Sequence, residues 1–233
     1  MPISLKNPLI VALDIDSKSE VLHLARTLGP RVGAIKLGPR LVIRYGSDFV
    51  SQISKISPVF LDFKFLDIPN TMGSSLRAAF DAGASLCTVH AWAGDTALKE
   101  VFKIEQELNK MRPFRVLVVT ILTSFTDETL PPGLEKLSAK DHVLKLAGLA
   151  HVNSLRGIVC SPEEVALLRE KYPDLYLVSP GVRMPDEEKG DQKRVMGPKE
   201  TLKAGANAVV VGRPIVESKD PAGAVDKYLN ALR

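Results

Sequence analysis

Short apolar runs rich in β-branched residues alternate along the whole chain with longer stretches whose apolar residues recur every three to four positions. The short runs read as strands at Leu9–Asp14, Val32–Lys36, Val59–Lys64, Leu86–His90, Val116–Leu122, Gly157–Cys160, Leu175–Val178 and Ala208–Val211. The longer stretches read as helices, among them Ser19–Leu28 (with Val21, Leu22, Ala25 and Leu28 on one stripe), Asp95–Met111 and Pro162–Lys171. Gly29, Gly83 and Gly205 fall where helix stops are expected. Eight strand–helix units in 233 residues predict an α/β fold, a closed (β/α)8 barrel of the TIM type, as a single domain over residues 1–233. The alternative is an open doubly wound sheet, which would carry a Gly-rich first turn; the turn after Asp14, Ile15-Asp-Ser-Lys-Ser19, has none. Two longer connections interrupt the rhythm. Phe125–Leu137 is polar and contains Pro and Gly, and Ser179–Gly197 is long and charged. Loops of that length in a compact domain often act as lids.

The third strand breaks the apolar pattern. Side chains alternate faces along a strand, so Val59, Leu61, Phe63 and Phe65 share one side and Phe60, Asp62 and Lys64 the other. An acid and a base inside a sheet lose several kcal/mol of hydration, to be recovered by pairing or by function. An ion pair on an exposed edge strand is the simpler account of Asp62 and Lys64. A third charge, Asp67, follows at the strand's end, however, and Pro69 then opens a helix. Charges at strand C-terminal ends are where α/β enzymes do chemistry. Asp14, Lys36, His90, Thr123 and Arg213 recur at the same end of other strands, which surface chance explains poorly.

The last strand runs into Gly212-Arg213-Pro214. Glycine allows close approach to the backbone, a helix start offers free N–H groups, and arginine adds a two-pronged donor, so this segment is a candidate phosphate site. Ser179-Pro-Gly-Val-Arg183 and Asp191-Gln-Lys-Arg194 bracket the long loop and carry further donors.

Composition narrows the function classes. The net charge of +4 is spread out, without a Lys/Arg block or an aromatic-interleaved basic stripe, so nucleic acid is not an expected partner and small anions are. No apolar run is long enough to span a membrane, and Met1–Pro8 lacks a signal-peptide layout, so a cytoplasmic protein without membrane partners is expected. Cys87 and Cys160 lie in strands with no CxxC partner and read as buried core thiols. His23, His142 and His151 fall in helical stretches and read as structural; His90, at a strand end, is near the candidate site, and Trp92 beside it reads as packing.

Asp62-Phe-Lys-Phe-Leu-Asp-Ile-Pro-Asn-Thr71 resembles the D-x-K-x-x-D-I-P-N-T signature of the orotidine 5′-monophosphate decarboxylase family. Supporting matches, in the family's order, are Ala12-Leu-Asp14, Lys36-Leu-Gly38, Val89-His-Ala91, Thr120-Ile-Leu-Thr-Ser124, Ser179-Pro-Gly-Val-Arg183, Gly190-Asp-Gln192 and Val211-Gly-Arg-Pro214. Leu66 departs from the His of many bacterial members, and Phe63 from a common Leu.

The resemblance implies decarboxylation of orotidine 5′-monophosphate to uridine 5′-monophosphate in pyrimidine biosynthesis, with no cofactor and no metal. By the same resemblance, Lys64 delivers a proton to C6, Asp62 faces the substrate carboxylate, and Lys36, Asp62, Lys64 and Asp67 form an alternating charged chain. Asp14 and Lys36 hold the ribose, Thr123 and Ser124 read the pyrimidine, and Arg183, Gln192, Gly212 and Arg213 bind the 5′-phosphate, with Ile68, Pro180 and Thr71 completing the substrate contacts. The family's pattern also implies a homodimer in which Asp67 and Thr71 reach the partner's site. Two rivals stand beside this reading: a metal-dependent sugar-phosphate enzyme on the same barrel, with the two carboxylates holding Mg2+, and a phosphate-ligand binder without turnover.

Overall fold

The computed structural model describes residues 3–134, 136–187 and 195–233. Eight parallel strands form one closed barrel in strict sequence order: β1 (Leu9–Ala12), β2 (Ala34–Leu37), β3 (Val59–Phe65), β4 (Ala84–His90), β5 (Arg115–Val119), β6 (Gly157–Val159), β7 (Tyr176–Pro180) and β8 (Ala208–Val211). The barrel closes where Leu9, Ile10 and Val11 pair with Val209, Val210 and Val211. Around it run α1 (Lys18–Leu28), α2 (Pro39–Ser54), α3 (Pro69–Asp81), α4 (Gly94–Leu108), α5 (Ala139–Val152), α6 (Val165–Lys171), α7 (Pro198–Lys203), α8 (Arg213–Val216) and α9 (Pro221–Ala231). No helix among the described residues is long and apolar enough to cross a membrane.

Strand alternation divides the core in two. One set of side chains, including Val11, Ile35, Leu61, Cys87 and Val118, packs outward against the helices. The other set, Ile10, Ala12, Ala34, Phe60, Leu86, Leu117, Val178, Ala208 and Val210, fills the barrel interior. Two residues further along, the inward series changes character on β1, β2, β3, β4 and β8. Ala12 is followed by Asp14, Ala34 by Lys36, Phe60 by Asp62 and Lys64, Leu86 by Thr88 and His90, and Val210 by Gly212. The apolar plug therefore stops short of the C-terminal rim, and polar side chains take over there.

Several boundaries differ from those the sequence suggests. β1 ends at Ala12, so Asp14 lies beyond the ladder, and β5 ends at Val119 rather than Leu122. Apolar residues continue past both points because they remain in the core packed against the helices after the ladder ends; Leu13 and Ile121 are buried. Residues 162–164 form a short 3-10 turn, Pro162–Glu164, before α6. Gly83 and Gly205 are the left-handed stops expected of them, but Gly29 is right-handed. Its smallness serves packing, since a Cβ there would sit 3.1 Å from Ile56 Cγ2 and Ser57 Cβ. Both cysteines are buried; Cys160 falls just past β6.

One charged group is sealed at the opposite end of the barrel. Glu105 on α4 is buried, and its carboxylate accepts the Val116 N–H at 2.7 Å. Burial pushes its pKa up to about 7, against the opposing pull of that N–H and of Arg115. The Arg115 guanidinium lies over the Tyr176 ring, 4.3 Å from its centre.

Candidate active site

The charged end of β3 is built on an irregularity. Leu61 pairs with Cys87 and Phe65 with Val89, so four steps along β3 face only two along β4. Two extra residues are an even number and leave the facing of every later side chain unchanged. Phe63 and Phe65 still pack outward, edge to face with centroids 5.3 Å apart, while Asp62 and Lys64 face the interior. The bulge is accommodated at Lys64 itself, whose φ is +51°. A non-glycine residue in this region stores on the order of 1–3 kcal/mol of strain.

Four side chains from three strand ends form a linked charged row. Asp14 lies 3.3 Å from Lys36 Nζ, Lys36 Nζ lies 3.7 Å from Asp62 Oδ2, and Lys64 Nζ donates to Asp62 Oδ1 at 2.9 Å. Burial alone would raise the Asp62 pKa; Lys36 and Lys64, helped by hydrogen bonds from Lys64 and Thr88, more than offset it and hold the carboxyl below its ordinary range. The middle of the row is sheltered, with Lys36 and Asp62 side chains 12% and 17% exposed, whereas Lys64 at 39% reaches into open space. His90 is buried beside this row, and burial foremost, then the Lys64 charge, lowers its pKa. Its Nδ1 accepts the Trp92 N–H at 3.3 Å.

A cavity of about 1020 Å3 opens at this end of the barrel. Asp14, Lys36, Asp62 and Lys64 line one side, Thr123 and Ser124 lie on the loop after β5, and Pro180, Arg183, Gly212 and Arg213 line the wall formed by β7 and β8. Gly181, also on that wall, has φ +80°, a conformation that a side chain would strain. Met196 pairs with Val182, and its carbonyl accepts the Arg183 N–H at 3.1 Å, so both stems of the long loop are tied together. The cavity therefore presents an ammonium–carboxylate row on one side and two guanidinium groups on the other. A ligand matching it carries an anion at one end and hydroxyl or acidic groups at the other.

The sequence-predicted residues divide into three groups. Ten of them line this one cavity. Asp67, Ile68 and Thr71 do not: all three are exposed, and Asp67 Oδ1 accepts the Ile68 N–H at 2.7 Å. Among the described residues, Asp67 makes no ion pair with Lys64 within the chain. Gln192 lies outside the described residues. Leu66 and Ile68, after β3, and Trp92, after β4, are exposed apolar side chains. The sequence reading passed over Arg40, which lines the cavity, donates to the Asp14 carbonyl and pairs with Asp16 at 3.2 Å. Its signal was its place in the first turn of α2, four residues after Lys36. Also missed was Thr88, which the period of two places inward between Leu86 and His90.

Polar side chains gathered over the C-terminal rim of a (β/α)8 barrel define the layout of a barrel enzyme. The chain belongs to the orotidine 5′-phosphate decarboxylase / HUMPS family, whose profile matches residues 7–228. It is 40% identical over 231 residues to the orotidine 5′-phosphate decarboxylase of Geobacter sulfurreducens, spanning 97% of this chain and 96% of that protein. Against the enzyme of that name from Actinobacillus pleuropneumoniae serotype 5b the identity is 38% over 228 residues, with 97% and 98% covered. The crystal structure of orotidine 5′-phosphate decarboxylase from Lactobacillus acidophilus superposes with a TM-score of 0.84 at 31% identity, covering 98% of this chain and all of that one.

Proposed function

We propose that this protein is a cytoplasmic enzyme of pyrimidine biosynthesis that converts orotidine 5′-monophosphate to uridine 5′-monophosphate and CO2. The observation that carries the reading is the Asp14–Lys36–Asp62–Lys64 row facing Arg183 and Arg213 across a single cavity. The family relatives bearing that enzyme's name support it. The 5′-phosphate lies against Arg183, Gly212 and Arg213, with Pro180 beside it. The ribose hydroxyls meet Asp14 and Lys36, and the pyrimidine meets Thr123 and Ser124.

Loss of CO2 from a ring carbon without a neighbouring electron sink leaves a localised carbanion, so the barrier to be lowered lies near the top of the roughly 8–23 kcal/mol range that enzymes supply. In this reading the C6–CO2 bond breaks with its electron pair left on C6. Lys64 Nζ stabilises that charge and delivers a proton to it. A fixed ammonium does both at little cost in reorganisation. Asp62 aims the Lys64 ammonium through their hydrogen bond, and its own charge disfavours the substrate carboxylate more than the neutral CO2 that departs. Phosphate contacts far from the reacting carbon supply binding energy that orders the site. Asp67, Ile68 and Thr71, exposed as Leu66 and Trp92 are, enter the site of a second subunit, making the working enzyme a homodimer.

The test is the ultraviolet absorbance change when orotidine 5′-monophosphate is added to the protein, with and without EDTA. Chelator-insensitive consumption supports the reading, and activity lost in EDTA would transfer it to a metal-dependent sugar-phosphate chemistry. Lys64→Ala should abolish turnover while the protein stays folded; near-normal activity in that variant would remove Lys64 from the chemistry.

A further inference from the structure

The left-handed backbone of Lys64 is held by one hydroxyl. Thr88 on β4 is fully buried, and its Oγ1 accepts the Lys64 N–H at 2.9 Å while donating to Asp62 Oδ1 at 3.0 Å. The bulge explains why a side chain does this work. With two extra residues on β3 between the Leu61–Cys87 and Phe65–Val89 pairs, Thr88 is the only β4 residue opposite Asp62, Phe63 and Lys64. The Lys64 N–H meets a side-chain oxygen there in place of a ladder carbonyl. The same Asp62 Oδ1 also accepts the Lys64 ammonium at 2.9 Å. Backbone, carboxylate and ammonium thus meet around a single oxygen pair, in a loop that starts and ends at Lys64.

We infer that Thr88 is a positioning residue: its hydroxyl fixes the Lys64 backbone and the Asp62 carboxylate together, so that the ammonium is aimed before substrate arrives. This rests on the proposed decarboxylase reading for its effect on turnover, but not for its effect on geometry. Strained backbone persists only where its surroundings over-determine it, and the Thr88 hydroxyl is the visible restraint here. Without it, the Lys64 N–H loses its partner and Lys64 relaxes toward an ordinary strand conformation, swinging its ammonium off the reacting carbon. An ångström of misplacement is enough to depress catalysis. Substrate binding, dominated by the opposite wall, should change far less.

Thr88→Val keeps the β-branched shape and removes the hydroxyl, and Thr88→Ser keeps the hydroxyl. For Thr88→Val, kcat toward orotidine 5′-monophosphate should fall about 10- to 100-fold, with the dissociation constant for uridine 5′-monophosphate changed less than about 3-fold. Thr88→Ser should recover kcat to within about 3-fold of the parent. Amide hydrogen exchange at Lys64 in the unliganded protein gives a readout independent of activity: faster in Thr88→Val, protected in Thr88→Ser, and unchanged at Leu61 in both. Parent-like kcat and Lys64 exchange in Thr88→Val overturn the inference. So does a loss that serine fails to restore, which would make Thr88 a packing residue. If the parent does not consume orotidine 5′-monophosphate, the decarboxylase reading fails, and exchange at Lys64 alone decides whether Thr88 holds that backbone.

Discussion

Glu105 should make the protein lose stability as pH rises through neutrality. Its carboxyl is buried behind β5 and titrates at about 7 when folded, against an ordinary 4.5. Below 4.5 both the folded and the unfolded chain carry the proton. Between 4.5 and 7 the unfolded chain releases it first, so the folded state binds more protons and stability falls with rising pH. Above 7 both states are ionised and the loss is complete. The rise from 4.5 to about 7 is worth on the order of 3 kcal/mol, most of which is lost between pH 5 and pH 8. Glu105→Gln keeps an acceptor for the Val116 N–H and cannot ionise. The attraction to Arg115 acts only on the ionised carboxylate and is already contained in the folded value. Thermal melts of parent and variant at fixed protein concentration should therefore diverge by about 5–10 °C between pH 5 and pH 8, the variant gaining at the alkaline end. Parallel melting temperatures across that range would refute the reasoning.

Two further outcomes test the site. Arg213→Ala should lower kcat/KM for orotidine 5′-monophosphate at least 10-fold, as for a lost charged hydrogen bond of about 1.5–3 kcal/mol; an unchanged value would remove Arg213 from the phosphate contacts. Lys64→Ala and Asp67→Ala proteins, each inactive alone, should regain part of the activity after subunit exchange, because a hybrid dimer holds one site with both residues intact. Mixtures that stay inactive while exchanging subunits would count against a shared site.

The barrel was legible because it rests on period-two and period-3.6 patterns that survive local irregularity. All eight strands lie where apolar runs occur, with errors of a few residues at ends such as Ala12 and Val119. The charged end of β3 was legible for the same reason: Asp62 and Lys64 are two residues apart and two extra bulge residues preserve their facing. The bulge and the left-handed Lys64 left no such trace, since they arise from how β3 meets a strand some 25 positions later. Thr88 was missed because threonine is an ordinary, enriched strand residue. The buried state of Glu105 was hidden in an amphipathic helix, where a glutamate normally marks the solvated face. Asp67 could be assigned no contact from its own chain, and the fold keeps it turned to its own backbone.

The cavity straddles the seam of the barrel. β1 and β8 meet along residues 9–11 and 209–211, and Asp14 leaves the first of these strands while Arg213 follows the last. Lys36, Asp62, Lys64 and Thr88 all belong to the first four strands, yet the wall opposite them is complete only with the final one. Contacts between the early and late chain carry the largest loop-closure entropy and form slowly. Affinity for a molecule that bridges Asp14 and Arg213 therefore appears at the last step of assembly, and such a molecule acts as a staple that favours the finished ring by mass action. A chain cut before Ala208 would keep its ammonium and lose Gly212 and Arg213 from the wall that faces it.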